Sequence, residues 1–252
     1  MKFALLASGS KGNCCLIHHK DTNLVIDCGS TRKYLKECFT RLEYDYQQSD
    51  ALLITHTHTD HVSQIKLFKD IETYATQDID TPHLHTIAPY QTFTIKDIRI
   101  TVLPMSHDCE GTVGYVLEAD GEKMVYVTDT GYIREEVKTY IHDADYYVFE
   151  SNHNIEMLMQ TARPVYIKQR IINEYGHLCN EDSAQILSEV ISPTKTKEIV
   201  LAHISQEGNT RELALETLEK TLDEKQIDHS HMHLYPADQF SIYLSGHGGE
   251  QE

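Results

Sequence analysis

The segment Ala51-Leu52-Leu53-Ile54-Thr55-His56-Thr57-His58-Thr59-Asp60-His61 decides how the rest of the chain is interpreted. Its first four residues are apolar and predict a short buried strand. Four side chains able to bind a metal ion then follow within six residues. Alternation along an extended backbone places His56 and His58 on one side, and the turn that follows can direct Asp60 and His61 to a second ion. Imidazole and carboxylate ligands without cysteine suit zinc, manganese or iron.

Chance enrichment is the alternative explanation of this segment, because the chain contains 16 histidines. The segment would then be a histidine-rich polar turn on the surface that binds no metal ion. The HxHxDH spacing directly after an apolar strand favours the metal site, since a strand end is a rigid support for ligands.

Length and charge limit the classes of function. The 252 residues suit one large domain or two small ones. The net charge of −17 argues against broad, non-specific binding to nucleic acid or anionic membrane, but a metal pair and a few cations in one groove could still hold a nucleic acid. No apolar stretch approaches the roughly 20 residues of a membrane span. The six cysteines are scattered without a CxxC pair, which indicates reduced thiols and a cytoplasmic protein.

Polar residues follow the predicted strands in a regular way. Five apolar strands end in a residue able to bind metal, and a sixth ends in Glu150; the five residues are Asp27, His56, His107, Asp129 and His203. Strand ends gathered at one rim of a sheet form sites in layered architectures. The pattern therefore predicts one site and one domain at 1–245, followed by a disordered tail at 246–252.

Three local predictions concern the elements around these strands. Helices are expected at 31–42 and 60–69 from the spacing of apolar residues. Asn180 is expected to cap a helix at 181–191. The turn at 8–13, rich in glycine and serine, is interpreted as a hairpin turn near the site, and its spacing matches neither a P-loop nor a dinucleotide fingerprint.

Five groups of residues carry a family resemblance. They are Ser8-Gly9-Ser10-Lys11-Gly12-Asn13, the HxHxDH segment with Ser106-His107-Asp108, Thr128-Asp129-Thr130-Gly131, Glu150-Ser151-Asn152-His153 with Gly176-His177-Leu178-Cys179-Asn180-Glu181-Asp182, and Ala202-His203-Ile204-Ser205. In this order they resemble the metallo-β-lactamase-fold hydrolases, and in detail the YycJ/WalJ branch. The resemblance implies an α+β fold, an αββα four-layer sandwich, and a site with two divalent metal ions, zinc first and manganese or iron as alternatives.

The resemblance also implies roles for individual residues. His56, His58 and His107 would hold the first ion, Asp60, His61 and His203 the second, and Asp129 would bridge both. His177 would protonate the leaving oxygen, and the alternative is a structural histidine. Asp27 would either orient a ligand histidine or anchor its loop. Ser8, Glu150 and His153 would support the ligands or contact the substrate.

The implied function is a metal-dependent hydrolase, most directly a phosphodiesterase that acts as an exonuclease on DNA ends. Two ions would activate a shared water, for which Asp60 is a catalytic ligand. A small-molecule hydrolase for cyclic phosphodiesters or thioesters is the alternative on the same fold. A metal-binding regulator without turnover is the third hypothesis. The sequence predicts no membrane association and leaves the oligomeric state open.

Overall fold

The computed structural model describes residues 1–246. The predicted disordered tail at 246–252 therefore lies outside the described residues, apart from Gly246. In the described part, two seven-stranded sheets pack face to face and helices cover their outer surfaces. The predicted α+β fold, an αββα four-layer sandwich, is confirmed.

The first sheet has an antiparallel half and a parallel half. Its strands are β1 (Lys2–Ala7), β2 (Cys14–His19), β3 (Thr22–Ile26), β4 (Ala51–Leu53), β5 (Thr73–Ala75), β6 (Leu84–Thr86) and β14 (Tyr243–Leu244). Their spatial order is β14-β1-β2-β3-β4-β5-β6. Pairing is antiparallel from β14 to β3 and parallel from β3 to β6.

The second sheet repeats this division. Its strands are β7 (Thr92–Ile95), β8 (Ile98–Pro104), β9 (Val113–Ala119), β10 (Glu122–Val127), β11 (Tyr146–Glu150), β12 (Glu198–Ala202) and β13 (His233–Pro236). They lie in the order β13-β12-β11-β10-β9-β8-β7, antiparallel from β7 to β10 and parallel from β10 to β13. Each sheet therefore presents several parallel carboxyl ends at one edge.

Seven α-helices are present in residues 1–246. They are α1 (Arg32–Arg41), α2 (Thr59–Val62), α3 (Glu135–Ile141), α4 (Ile155–Gln160), α5 (Val165–Ile172), α6 (Asn180–Val190) and α7 (Arg211–Glu224). Short 3₁₀ turns occupy Tyr46–Gln48 and Ile65–Phe68. None of these helices is long and apolar enough to cross a membrane.

Alternation along the central strands explains the layers. In β10, Met124 and Tyr126 pack between the two sheets, whereas Val125 and Val127 pack under the helices. Since both faces of such a strand are buried, its sequence is a continuous apolar run rather than an alternating one. A third apolar cluster lies between the first sheet and α1. These three clusters fix both sheets and leave the strand ends free for polar side chains.

The prediction of one continuous helix at 60–69 is wrong. The structure has one turn of α-helix in α2 and then the 3₁₀ turn Ile65–Phe68. The carbonyl oxygens of Asp60 and His61 accept hydrogen bonds from the amides of Asn13 (2.8 Å) and Cys28 (2.7 Å) instead of from residues four positions later. The neighbouring loops therefore interrupt the helix, and they tie it to the ends of β2 and β3.

The predicted N-cap at Asn180 is displaced by one residue. Cys179 caps α6, and its sulfur accepts from the amide of Asp182 at 3.4 Å. Asn180 is the first residue of the helix, and its side chain bonds Ser151 and Asn209. These contacts hold the loop after β11 against the helix.

The layers predict that substitutions at two adjacent residues of β8 change the free energy of unfolding by very different amounts. Ile100 is fully buried between the sheets, so Ile100→Ala should lower the free energy of unfolding by about 2–5 kcal/mol. Arg99 points outward and makes an exposed ion pair with Glu118. Arg99→Ala should cost less than about 1 kcal/mol. Urea unfolding followed by circular dichroism measures both, and equal losses would contradict the layering.

Candidate metal centre

The strand register gathers the predicted residues at one edge. In the second sheet, Val127, Phe149 and Leu201 are level in β10, β11 and β12. Asp129 and His203 therefore emerge side by side beyond the strand ends, with Glu150 between them. In the first sheet, Ile26 and Leu53 are level, which places Asp27 beside the segment that leads to His56.

Three of these residues turn sharply out of their strands. Asp27, Asp129 and His203 have φ angles of 58°, 55° and 55°. The left-handed region is uncommon for residues other than glycine, and such strain is retained where surrounding contacts fix it. At all three positions the turn begins one or two residues after the strand, next to the candidate ligands. These sharp turns direct the three side chains toward the edge where the candidate ligands meet.

The first predicted ligand group is assembled by the structure. His56, His58 and His107 offer ring nitrogens that all lie within 4.8 Å of one another. His58 Nδ1 is 3.3 Å from His107 Nε2, and the ring centroids of His56 and His58 are 4.7 Å apart. His107 Nδ1 donates to the carbonyl of Gly176 at 3.0 Å. This bond leaves the Nε2 of His107 available to a metal.

The second predicted group lies beside the first. Asp60, His61 and His203 form one cluster with ligand-type atoms within 4.8 Å, and His56, His61 and Asp129 form another. Asp129 Oδ2 is 3.1 Å from His61 Nε2, and its Oδ1 is 3.5 Å from His203 Nε2. Asp129 Oδ1 is also 3.9 Å from His107 Nε2. The carboxylate of Asp129 thus stands between the two groups, where a bridging ligand would stand.

Unsatisfied polar atoms show that these residues fit a metal. His56 Nε2, His203 Nε2 and Asp129 Oδ2 are buried and have no hydrogen-bond partner among the described residues. Asp129 Oδ2 is close to His61 Nε2 but outside hydrogen-bond geometry. Buried polar atoms without partners are costly and rare, and divalent ions at this position would satisfy all three. The donor set of imidazoles and carboxylates suits the metals predicted from the sequence.

The carboxylates are in the ionised state that metal binding requires. Burial alone would raise the pKa of Asp129, but the charges of His203 and His61 hold it well below its usual value. Burial likewise opposes ionisation of Asp60, and its hydrogen bond with His203 and the charge of His61 lower the pKa. Burial lowers the pKa of His56 strongly, so that imidazole is neutral. Neutral His56 and the ionised carboxylates are therefore ready to bind a metal. Burial would lower the pKa of His61 and of His203, but the neighbouring carboxylates raise both, that of His203 to about 10, so these two imidazoles would release a proton when a metal binds.

Asp27 makes the contacts that both of the roles considered for it require. It is buried, and its Oδ2 accepts from His61 Nδ1 at 2.7 Å. Thr55 anchors it further, because the amide and hydroxyl of Thr55 each donate to Asp27 at 2.8 Å. Asp27 thereby orients a candidate ligand and fixes the loop at the end of β4. A carboxylate that fixes a ligand histidine also raises its basicity.

Glu150 has a corresponding position in the second sheet. Its Oε1 accepts from His203 Nδ1 at 2.9 Å and from His177 Nδ1 at 2.8 Å. Burial would raise the pKa of Glu150, but the charges and hydrogen bonds of His177 and His203 hold it at about 2. His177 also lies in a group with Asp129 and His203 that could hold a metal. Because its Nδ1 is engaged by Glu150, however, this nitrogen is not free to bind one.

The remaining two predicted residues, Ser8 and His153, are both buried. Ser8 is buried, and its hydroxyl accepts from the amide of His203 at 2.8 Å. His153 is 1% exposed and lies outside every candidate ligand group, and burial lowers its pKa to about 4. Neither side chain reaches the surface of the site. Ser8 therefore makes the contact that support of His203 requires, whereas the buried Nδ1 of His153 has no hydrogen-bond partner within residues 1–246. The roles of both residues stay predictions.

Two asparagines that support the candidate ligands were not predicted from the sequence. Asn13 Nδ2 lies 2.9 Å from His61 Nε2 and donates to Asp60 Oδ2 at 3.4 Å. Asn152 donates to the carbonyl of His203 at 2.8 Å. Both asparagines stand in quoted motifs, so their positions in the sequence were a signal, although the spacing could not identify their partners.

Comparisons with known proteins identify the family. The family model described as Beta-lactamase superfamily domain matches residues 22–204, and the chain belongs to this family. Exodeoxyribonuclease YycJ of Bacillus anthracis is 33% identical, with 89% of this chain and 90% of that protein covered. Exodeoxyribonuclease WalJ of Streptococcus pneumoniae serotype 2 is 30% identical over 90% of each chain. The predicted resemblance to the YycJ/WalJ branch is confirmed.

A solved structure agrees with the fold. The metallo-β-lactamase fold protein YhfI from Bacillus subtilis matches with a TM-score of 0.68 at 19% identity, covering 96% of this chain and 98% of that one. Together, family and ligand clusters support a metal-dependent hydrolase.

The role of Asp27 yields a test by metal binding. Asp27→Asn should weaken metal affinity about 10- to 100-fold, because the amide cannot accept from His61 and Thr55 in the same way. Calorimetric titration of zinc into chelator-treated protein measures the change. Asp120→Asn is the matched control, since Asp120 accepts from His19 at 3.0 Å away from the ligand cluster. Equal affinity in Asp27→Asn and wild type would refute the orienting role.

Proposed function

We propose that this protein is a metal-dependent phosphodiesterase that removes nucleotides from DNA ends. The observation that carries the proposal is the convergence of buried, unpartnered ligand atoms on one space beside His177. The relatives described as exodeoxyribonucleases, similar over about 90% of the chain, support DNA as the substrate.

The seven predicted ligands would hold two divalent ions. His56, His58 and His107 would hold one, Asp60, His61 and His203 would hold the other, and Asp129 would contact both. When bound, a metal pair lowers the pKa of water and neutralises negative charge that develops on a phosphoryl group. Zinc suits the donors, and manganese and iron are the alternatives.

The protein holds its ligands before any substrate arrives. Asp27 fixes His61, Glu150 fixes His203, and the carbonyl of Gly176 fixes His107. Asp60 is the most open ligand of the second group, with a side chain 23% exposed, and Asn13 holds its carboxylate. Orientation of this kind reduces the reorganisation that the reaction requires. Asp60 therefore serves both metal binding and access of the scissile phosphate.

His177 would move a proton in this reaction. Its ring centroid is 5.1 Å from those of both His107 and His203. Glu150 holds its Nδ1, and within residues 1–246 its Nε2 has no hydrogen-bond partner. A histidine held at one nitrogen can present the other to a leaving oxygen. His177 would thus donate the proton that the departing nucleotide or strand oxygen needs.

A small-molecule hydrolase is the second candidate, and the net charge of −17 favours it. An acidic surface repels a long phosphate backbone but has less effect on one small diester or thioester. The third hypothesis, a regulator without turnover, is disfavoured by a complete set of oriented ligands.

Location and organisation are also proposed. The six cysteines are unpaired, which agrees with a reducing cytoplasm. The single-domain organisation at 1–245 stays a prediction.

The direct test is a nuclease assay on end-labelled double-stranded DNA. Chelated protein should regain cleavage with zinc or manganese and release nucleotides from an end, whereas Asp60→Asn should be at least about 100-fold slower. Lys33→Gln, an exposed change on α1, is the folding control. Turnover of a small phosphodiester or thioester without DNA cleavage would instead support the second candidate.

The proposed proton transfer predicts a dependence on the leaving group. His177→Ala should reduce kcat on DNA by about 10²–10⁴-fold, because the leaving alkoxide then lacks its acid. The loss should be much smaller on the p-nitrophenyl ester of thymidine 5′-phosphate, whose leaving group needs no proton. Equal losses on both substrates, with metal content unchanged, would contradict this role.

A further inference from the structure

Arg170 is attached to the candidate metal centre through one carboxylate. It lies in α5 and its Nε contacts Asp108 Oδ2. Asp108 follows His107 in the chain, and its Oδ1 lies 3.3 Å from His107 Nε2 and 3.7 Å from His58 Nε2. The guanidinium of Arg170 is therefore held at the rim of the first ligand group.

The rest of this guanidinium is open. The Arg170 side chain is 59% exposed, and in the described part of the chain only its Nε has a polar partner. Its two terminal amino groups remain available as a planar pair of donors. Such a fork matches the geometry of two phosphate oxygens better than a lysine does. Asp108 thus orients the guanidinium of Arg170 beside the ligands and leaves the two terminal amino groups of that guanidinium free to bind a phosphate.

An exposed aromatic ring lies on the loop that follows α5, between Arg170 and His177. Tyr175 is 59% exposed and lies two residues before His177. Its position is fixed, because its amide donates to Asn173 Oδ1 at 2.7 Å and the next residue, Gly176, accepts from His107. A large ring left in water on a fixed loop beside a site is available to stack on a flat ligand.

We propose that Arg170 and Tyr175 receive the DNA strand that enters the site. Arg170 binds the phosphate next to the one that is cut, and Tyr175 stacks on an unpaired base near the strand end. This inference rests on the proposed function and specifies its substrate as a strand with unpaired terminal bases.

The cations of this segment leave one guanidinium open for a nucleic-acid strand. The other two cations of 154–177 are engaged, since Lys168 donates to the carbonyls of Met159 and Thr161, and Arg163 pairs with Glu207. Two rings of this segment are exposed, Tyr166 on α5 and Tyr175 on the loop that leads to His177. Because only Tyr175 lies on that loop, Arg170 and Tyr175 suit one phosphate and one base. Stacking involves no charge, so it remains effective on a protein whose net charge is −17.

The experiment measures binding of a short, fluorescein-labelled single-stranded oligonucleotide with phosphorothioate linkages to the metal-loaded protein. Fluorescence anisotropy gives the Kd across a range of potassium chloride concentrations. The variants are Arg170→Gln, Arg170→Lys and Tyr175→Ala. Arg99→Gln and Tyr140→Ala are matched controls, because Arg99 is 61% exposed and ion-paired and Tyr140 is 42% exposed on α3.

The two contacts should give different signatures. Arg170→Gln should raise the Kd about tenfold and make the slope of log Kd against log salt shallower by about 0.7, as expected for one lost phosphate contact. Arg170→Lys should retain the slope but bind more weakly than wild type. Tyr175→Ala should raise the Kd about tenfold with the slope unchanged, because stacking releases no counterions. Both controls should resemble wild type.

Other results would overturn the proposal in identifiable ways. An unchanged salt slope in Arg170→Gln, accompanied by loss of metal, would mean that Arg170 only holds Asp108 in place. Unchanged binding in Tyr175→Ala, with loss of self-association by sedimentation, would make the ring part of a protein interface. If wild type neither binds nor cuts DNA but hydrolyses a small phosphodiester, the DNA proposal and the stacking role fail together. The phosphate contact of Arg170 would then be tested by comparing the KM of Arg170→Gln and wild type for that diester, and an equal KM would refute it.

Discussion

The buried contact between Asp27 and His61 is the constraint on which much of the site depends. It joins the residue after β3 to the short helix α2, and the two bonds from Thr55 add the end of β4 to the same carboxylate. Three segments distant in sequence are thereby fixed at one point. Because the pair is buried, loss of either partner would leave an unsatisfied charge or donor in the interior. The HxHxDH segment therefore has its shape before it binds anything.

Glu150 fixes a candidate ligand from the second sheet, as Asp27 does from the first. Unlike Asp27, Glu150 binds two histidines. One of its oxygens accepts from two histidines, of which His203 is a candidate ligand and His177 a candidate acid. Under the proposed roles, metal binding and proton transfer would be linked through a single buried carboxylate. Its other oxygen accepts from the amides of Thr130 and Leu178, which ties the loop that carries Asp129 to the loop that carries His177.

Local patterns in the sequence indicated the strand ends and the HxHxDH ligands, whereas the αββα sandwich and the full set of candidate ligands were implied by the resemblance to the metallo-β-lactamase-fold hydrolases. Apolar runs that end in His or Asp indicate strand ends, and the HxHxDH spacing indicates ligands. Partners brought together by the fold were harder to predict. Nothing in the spacing of Glu150 and His177 shows that they share a hydrogen bond, and Arg170 and Asp108 are 62 positions apart. The helix expected at 60–69 was wrong for the same reason, since loops from β2 and β3 take its backbone carbonyls.

The central claim is that seven side chains from both sheets hold two metal ions at one edge of the sandwich. Anomalous diffraction from crystals of the zinc-loaded protein tests it most directly. The account predicts two peaks, one in contact with His56, His58 and His107 and one in contact with Asp60, His61 and His203, with Asp129 touching both. A single peak, or peaks held by other residues, would contradict the dinuclear site and the mechanism that depends on it.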